Sequence, residues 1–324
     1  MIKSITVLTA CAILSLQGLA QEKKTTLSAQ IYDYPRDMVY FDCTQSPFLC
    51  SEYHTNPGEE HLYSFQADQI TSFVINGRTT VLLLPGDSLH LNIRYDGKNV
   101  QSVEYSGTKQ AVDNNKLFRS IDQTKRAMRY KSQLLACAVV DVKPKERIDS
   151  SRVLLTKVDA LIAARKGISP QAATYLKART EAEAYTSYME YPMMYAEIRH
   201  TPIEKQDIGD YWKLMDGTRL RSDKVSLRCS EYVSMLMRYV FYAEELKAKK
   251  EGKTYKRPGT LEEMYKDYAA FYKGEQRDAV LYTLLCNFIR NGKEIQRVDP
   301  LLKEYREKYN QDKEYTKILD SLLQ

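Results

Sequence analysis

Hydrophobic positions change their spacing once along this chain, near residue 107. Before that point apolar and polar residues alternate: Leu89, Leu91, Ile93 and Tyr95 fall on one face, and His90, Asn92 and Arg94 on the other. A period of two predicts a half-buried antiparallel strand. Short runs rich in β-branched and aromatic residues also occupy 26–34, 38–43, 62–65, 70–75, 79–84 and 100–105. Turn residues separate them. Pro85-Gly86-Asp87 predicts a type II turn, with proline presetting the first central position and glycine accepting the positive φ of the second. Asn76-Gly77 and Asp96-Gly97 are hairpin signals. Short strands with frequent turns predict a small antiparallel β-sandwich.

After residue 107 the apolar positions recur every three or four residues. Leu117, Ile121, Thr124, Met128 and Leu135 form one such stripe; Val153, Leu154, Val158, Leu161 and Ile162 a second; Cys229, Val233, Leu236, Val240 and Ala243 a third. This is the spacing of amphipathic helices. Ser169-Pro170 and Asp299-Pro300 place a capping side chain before a first-turn proline. Thr260 and Glu263 have capping-box spacing. Pro192 should kink or end the helix around it. Seven to nine helices are expected from 109 to 324, with no repeat of fixed period. Strands followed only by helices imply an α+β chain, because a doubly wound sheet needs the two interleaved. The expected organisation is a leader over 1–20, a β-sandwich domain over 21–107 and an all-helical domain over 108–324.

Met1 to Ala20 carry one cation, Lys3, an apolar run and small residues near Gly18 and Ala20, the pattern of a secretory signal peptide cleaved near Gln21. The run is too short and broken for a membrane span. Leu8-Thr9-Ala10-Cys11 also resembles a lipobox, which would anchor the protein by a lipid on Cys11. Cleavage there leaves only 5–10 as the apolar core, short of the ~7–15 residues such cores have. A periplasmic or secreted protein is therefore the preferred reading, and a lipoprotein anchored through Cys11 the alternative.

Composition adds little to the class. Hydrophobic residues make 43% and charged residues 28%, as in a globular protein, and the net charge of +6 is too mild to mark a nucleic-acid binder. Tyrosine stands out, with 25 residues against one Trp and 8 Phe. Most fall in the helical region, where rings packed between helices account for them better than an aromatic ligand groove.

Candidate chemistry is sparse. No two cysteines form C-x-x-C, the spacing that lowers a thiol pKa. Cys137, Cys229 and Cys286 lie on apolar helical faces as small buried hydrophobes. Cys43 and Cys50 flank a Pro47 turn in the strand region, a possible disulfide in an oxidising compartment. Glu52, His54, Glu59, Glu60 and His61 crowd one loop, but their spacing matches no usual zinc pattern, and a charged loop tip explains them. His90 and His200 stand alone. There is no nucleophile-elbow, zinc-protease or phosphate-loop motif. Glu181 with Glu183, and Glu244 with Glu245, read as solvated helix faces, as does the basic run Lys247, Lys249, Lys250, Lys253, Lys256 and Arg257. No catalytic, cofactor or metal residue is assigned.

From Leu82 to Gly107 and on into 108–117 the chain resembles a known family. The Leu84-Pro85-Gly86-Asp87 turn, its following strand and the Gly107-Thr108 step into a helix with Asn114 and Asn115 are similar to the β-sandwich domain of unknown function that precedes many exported thiol-disulfide oxidoreductases of the TlpA/ResA type in Bacteroidota. The tyrosine-rich helices, including Ser230-Glu231-Tyr232 and 271–278, are similar to the helical region of such proteins. Those relatives continue into a thioredoxin-like domain with W-C-x-x-C. Here the only tryptophan, Trp212, is followed by Lys213 and no redox pair, so no residue inherits that activity. The resemblance implies an exported accessory module lacking the thioredoxin-like part. The expected function is non-catalytic binding of a protein or small-molecule ligand of the cell envelope, with no nucleic acid and no transmembrane span after leader removal. The alternative is partner-assisted thiol-disulfide redox work through Cys43 and Cys50.

Overall fold

The computed structural model describes residues 24–128 and 142–324. The leader with its lipobox Cys11, together with Leu135 and Cys137, lies outside the described residues. Eight strands come first: β1 (Thr25–Tyr32), β2 (Met38–Cys43), β3 (Ser51–His54), β4 (Glu60–Phe65), β5 (Thr71–Ile75), β6 (Thr79–Leu83), β7 (Ser88–Asp96) and β8 (Asn99–Gly107). They form two four-stranded sheets, ordered β4-β1-β7-β8 and β3-β2-β5-β6. Leu27, Ile31, Phe41, Phe73, Leu91 and Ile93, drawn from both sheets, pack in one core. One pair departs from the antiparallel expectation: β1 runs parallel to β7, from Thr26 against Ser88 to Tyr32 against Arg94. Where the sequence suggests a charged loop tip, the chain forms the strand β3; with only four residues and two of them exposed, it carries almost no apolar signal.

The turns behave as their residues dictate. Gly86 has φ +80° and the Asp87 amide donates to the Leu84 carbonyl at 3.0 Å, closing the type II turn. Asn76 and Gly77 both take positive φ in the hairpin between β5 and β6.

Ten α-helices follow among the described residues: α1 (Lys109–Ala127), α2 (Pro144–Ala164), α3 (Pro170–Met189), α4 (Tyr191–Arg199), α5 (Lys224–Leu227), α6 (Ser230–Lys250), α7 (Leu261–Phe271), α8 (Gly274–Arg290), α9 (Val298–Glu304) and α10 (Lys313–Leu322). The chain is α+β. The four-residue α5 had no periodic signal, which takes the number past nine. The Ser169 hydroxyl caps α3 by accepting from the Ala172 amide at 2.9 Å, and Thr260 with Glu263 forms the full capping box of α7. Pro192 sits in the first turn of α4, so the expected interruption falls just before it, at Glu190. Asp299 lies inside the first turn of α9 rather than capping it.

Twelve tyrosines are among the buried residues of the helical region, and several of their hydroxyls reach backbone: Tyr211 donates to the Met189 carbonyl at 2.6 Å and Tyr272 to the Leu236 carbonyl at 2.7 Å. Packing between helices is therefore their role, with several polar tips satisfied by main-chain groups, that of Tyr305 by the Asp278 carboxylate and that of Tyr265 left without a partner.

Sandwich and helices meet across β6. Val81 and Leu83 point into the sandwich core, while Leu82 and Leu84 join the helical core with Leu117 and Ile121 of α1. An edge strand exposes unpaired main-chain groups. Here Asn115 of α1 supplies the missing partner: its Oδ1 accepts from the Leu82 amide and its Nδ2 donates to the Leu82 carbonyl, both at 2.8 Å. Asn115→Ala leaves both buried main-chain groups unpaired and should lower unfolding free energy by about 2–3 kcal/mol. Urea denaturation checks this; a change below about 0.5 kcal/mol would show that the clamp carries no stability.

Candidate functional site

The strand β2 ends at Cys43, and the chain then turns away from the sheet over 44–50. Ser46 and Pro47 shape that turn: the Ser46 hydroxyl accepts from the Phe48 amide at 3.2 Å, capping a 3₁₀ turn over Pro47–Leu49. Gln45 at its start is a three-way clasp. Its Oε1 accepts from the Ser72 amide of β5 at 2.8 Å, its Nε2 donates to the Arg228 carbonyl after α5 at 3.1 Å, and its carbonyl faces the Tyr282 hydroxyl of α8 at 3.5 Å. One residue, through its side chain and its main-chain carbonyl, thus ties the sandwich to the end of α5 and to α8.

Around this clasp lies a cleft of ≈ 370 Å³. Its sandwich wall is the 42–50 turn, and its helical wall is built from the end of α5, the start of α6, and α8 and α10. Tyr282 stacks face to face on Tyr315 of α10, centroids 4.0 Å apart and planes 6° from parallel, which fixes α8 against α10. Arg228 is 6% exposed and forks onto Glu314 of α10 at 2.6 and 3.4 Å. Burial works against its charge, but Glu314 outweighs that and its pKa is raised, so the pair holds the cleft floor as a fixed ion pair. Two buried polar atoms of the lining residues, Thr44 Oγ1 and Arg228 Nε, have no hydrogen-bond partner. Arg290, one turn beyond Cys286 on α8, is exposed and makes no ion pair among the described residues.

Three thiols border the same cleft: Cys43, Cys50 and Cys286. Cys43, Cys50, Cys229 and Cys286 are all free, and the Cys43 amide donates to the Cys50 sulfur at 3.3 Å. Burial pushes the Cys43 thiol up to about 11, and burial also raises Cys286. Neither has the depressed pKa of an activated nucleophile. Cys229 is buried at the start of α6, as its apolar face predicts, with its thiol 3.4 Å from Glu231.

No protein-family model, curated protein or solved structure matches this chain.

The residues of the charged loop are parted by the fold. Glu52 and His54 lie on β3 in one sheet, Glu60 and His61 on β4 in the other. Among the described residues no three His, Cys, Asp or Glu side chains lie together as a metal would need. His61 instead stacks on Tyr53, centroids 3.7 Å apart, and burial lowers its pKa. Glu60 pairs with His90 at 3.0 Å. The basic run is neutralised in part, by Glu244 on Lys247, Glu251 on Lys253 and Glu245 on Arg257.

The reading of Glu181 and Glu183 as a solvated face is overturned. The Glu183 side chain is 4% exposed and binds Lys125 of α1 at 2.7 Å, while Glu181 takes Arg221 through two 2.6 Å bonds. Both face neighbouring segments because the basic partners come from far along the chain, which spacing on one helix cannot reveal.

Gln45, Arg228, Arg290, Tyr282 and Tyr315 were not singled out from the sequence. Each is an isolated residue on its own element, and no local motif marks it. Only the paired cysteines pointed toward this region.

Proposed function

We propose that the chain is a non-catalytic binding module of the cell envelope and that the cleft between sandwich and helices receives its ligand. The observation that carries this reading is the pair of buried, unpartnered polar atoms, Thr44 Oγ1 and Arg228 Nε, among residues lining a cleft formed jointly by both cores. Buried polar groups are normally paired, and unpaired ones at a concave, partly apolar surface favour a ligand that supplies the partner. The lack of an activated thiol or assembled metal cluster among the described residues favours capture over turnover. The leader pattern supports the location, and the order of sandwich then helices accords with an accessory module of the TlpA/ResA-associated type.

A thermal-shift screen against free amino acids, short peptides and small organic anions tests it. A ligand at a hundred times its Kd stabilises by about 2.7 kcal/mol, a shift of several degrees. Ser234, exposed on α6 at the cleft lining, provides the control: Ser234→Trp should fill the cleft and abolish the shift. A shift that survives this substitution, or no shift from any class, would sink the cleft as the binding site.

A further inference from the structure

Cys43 and Cys50 differ in a way that divides labour between them. Cys50 is exposed, whereas Cys43 is half-buried. The Cys43 amide lies 3.3 Å from the Cys50 sulfur. Standard bond lengths then keep the two Cα atoms within about 8 Å even if every bond were collinear, and any bent path shortens that toward the range of about 4.4–6.8 Å that a disulfide spans. The ladder agrees, since Phe41 of β2 pairs with Ser51 of β3, so Cys50 lies opposite the last residues of β2. Both thiols open on the cleft, where Arg290 presents an unpaired cation and Asp42 is the one carboxylate among the lining residues. A cation and a carboxylate on one small cleft suit a zwitterion, with a carboxylate for Arg290 and an ammonium for Asp42.

We propose that Cys50 and Cys43 form a thiol-exchange site for low-molecular-weight amino-acid disulfides of the cystine type, with Cys50 as the entry thiol and Cys43 as the resolving thiol. The Cys50 thiolate, having lost its proton to solvent, attacks one sulfur of the small disulfide. A Cys50–S–S–R bond forms and one R–S⁻ leaves. Cys43, its proton likewise lost to solvent, attacks the Cys50 sulfur, forming the Cys43–Cys50 disulfide and expelling the second R–S⁻. The protein pair loses two electrons, the small disulfide gains them, and two amino-acid thiols are released. The small disulfide enters the same cleft, so this proposal rests on the binding reading above and names the chemistry of one occupant.

The step at Cys43 has a recognisable pH signature. Its thiol is held up to about 11 by burial, so at neutral pH little thiolate exists to resolve the mixed disulfide. The mixed species should persist near pH 7, and its conversion should accelerate by about tenfold per pH unit toward pH 10.

The reduced full chain is incubated with cystine, and peptide masses are mapped after alkylation. Expected are a cysteine adduct on Cys50, then loss of two hydrogens across the Cys43 and Cys50 peptides. Cys43→Ala should stop at the adduct, and Cys50→Ser should leave Cys43 unmodified. Both side chains line the cleft, and circular dichroism confirms that each variant is folded. Arg290→Gln should slow the reaction with cystine by about fivefold while leaving cystamine, which has no carboxylate, unchanged. Modification of Cys43 at an undiminished rate in Cys50→Ser, or a wild-type adduct that never resolves even at pH 10, would overturn the exchange site. Equal effects of Arg290→Gln on both disulfides would overturn the amino-acid specificity.

Discussion

Replacing Gly107 by alanine is expected to destabilise the protein by about 3–5 kcal/mol, lowering Tm by about 10 °C. Gly107 sits at φ +127°, where a side chain is strained, and its added Cβ would lie 2.1 Å from the Ser88 carbonyl oxygen. That oxygen cannot retreat cheaply. It belongs to β7 main chain, and it accepts the Thr108 amide at 2.8 Å. Gly107 also faces Leu89 at the last rung between β7 and β8. Relieving the clash therefore opens that rung, releases Thr108 from Ser88 and Asp87, and loosens the start of α1. Gly97 provides the control. It too has positive φ, but nothing lies within 4 Å of its added Cβ, so Gly97→Ala should cost only about 1 kcal/mol. Calorimetry on the two variants separates conformational strain from collision. Equal losses would mean the Ser88 contact is irrelevant.

The second large effect is expected at Asp278 on α8. This carboxylate is 2% exposed and makes no ion pair among the described residues. It instead accepts from the Tyr305 hydroxyl, from Asn310 Nδ2 at 3.3 Å, and from the amides of Gln311 and Asp312 at 2.8 and 2.7 Å. Burial raises its pKa, and these donors oppose that rise. The donors all come from the segment leading into α10, so one side chain seats the C-terminal helix. Asp278→Ala should cost about 3–4 kcal/mol by stranding those donors. Asp278→Asn should recover only part of it, because its amide nitrogen meets donors where it needs acceptors. The effect should reach the cleft, since α10 carries Glu314 and Tyr315. Limited proteolysis is expected to nick the chain near 310–313 first, and any ligand of the cleft should weaken with it. Unchanged protease resistance in Asp278→Ala would show that α10 is held by its apolar face alone.

Much of the architecture could be read along the chain because it is local. Alternation in 88–96, the Pro85-Gly86 turn, the Thr260 capping box and the stop before Pro192 each depend on residues within a few positions. The misreadings share a cause. The strand β3 is short and polar and exists because β2 lies beside it. Glu183 reads like any helix-surface acid until Lys125, 58 residues away, is brought against it. The continuous apolar run 81–84 reads as one buried face, yet it serves two cores in alternation. As for the site, the cysteine pair could be noticed in sequence, but the clasp at Gln45, with a partner 183 residues on, could not.

Local periodicity and turn chemistry by themselves determined the order of strands and helices and the place where one gives way to the other, since backbone preference and one-sided burial act over a few residues. Tertiary structure alone decided the parallel seam between β1 and β7, the burial of Glu183, the sealing of β6 by Asn115 and the existence of the cleft. Each of these needs groups from distant elements to meet, and whether a charge is solvated or a polar atom is left without a partner depends on what the rest of the chain places beside it.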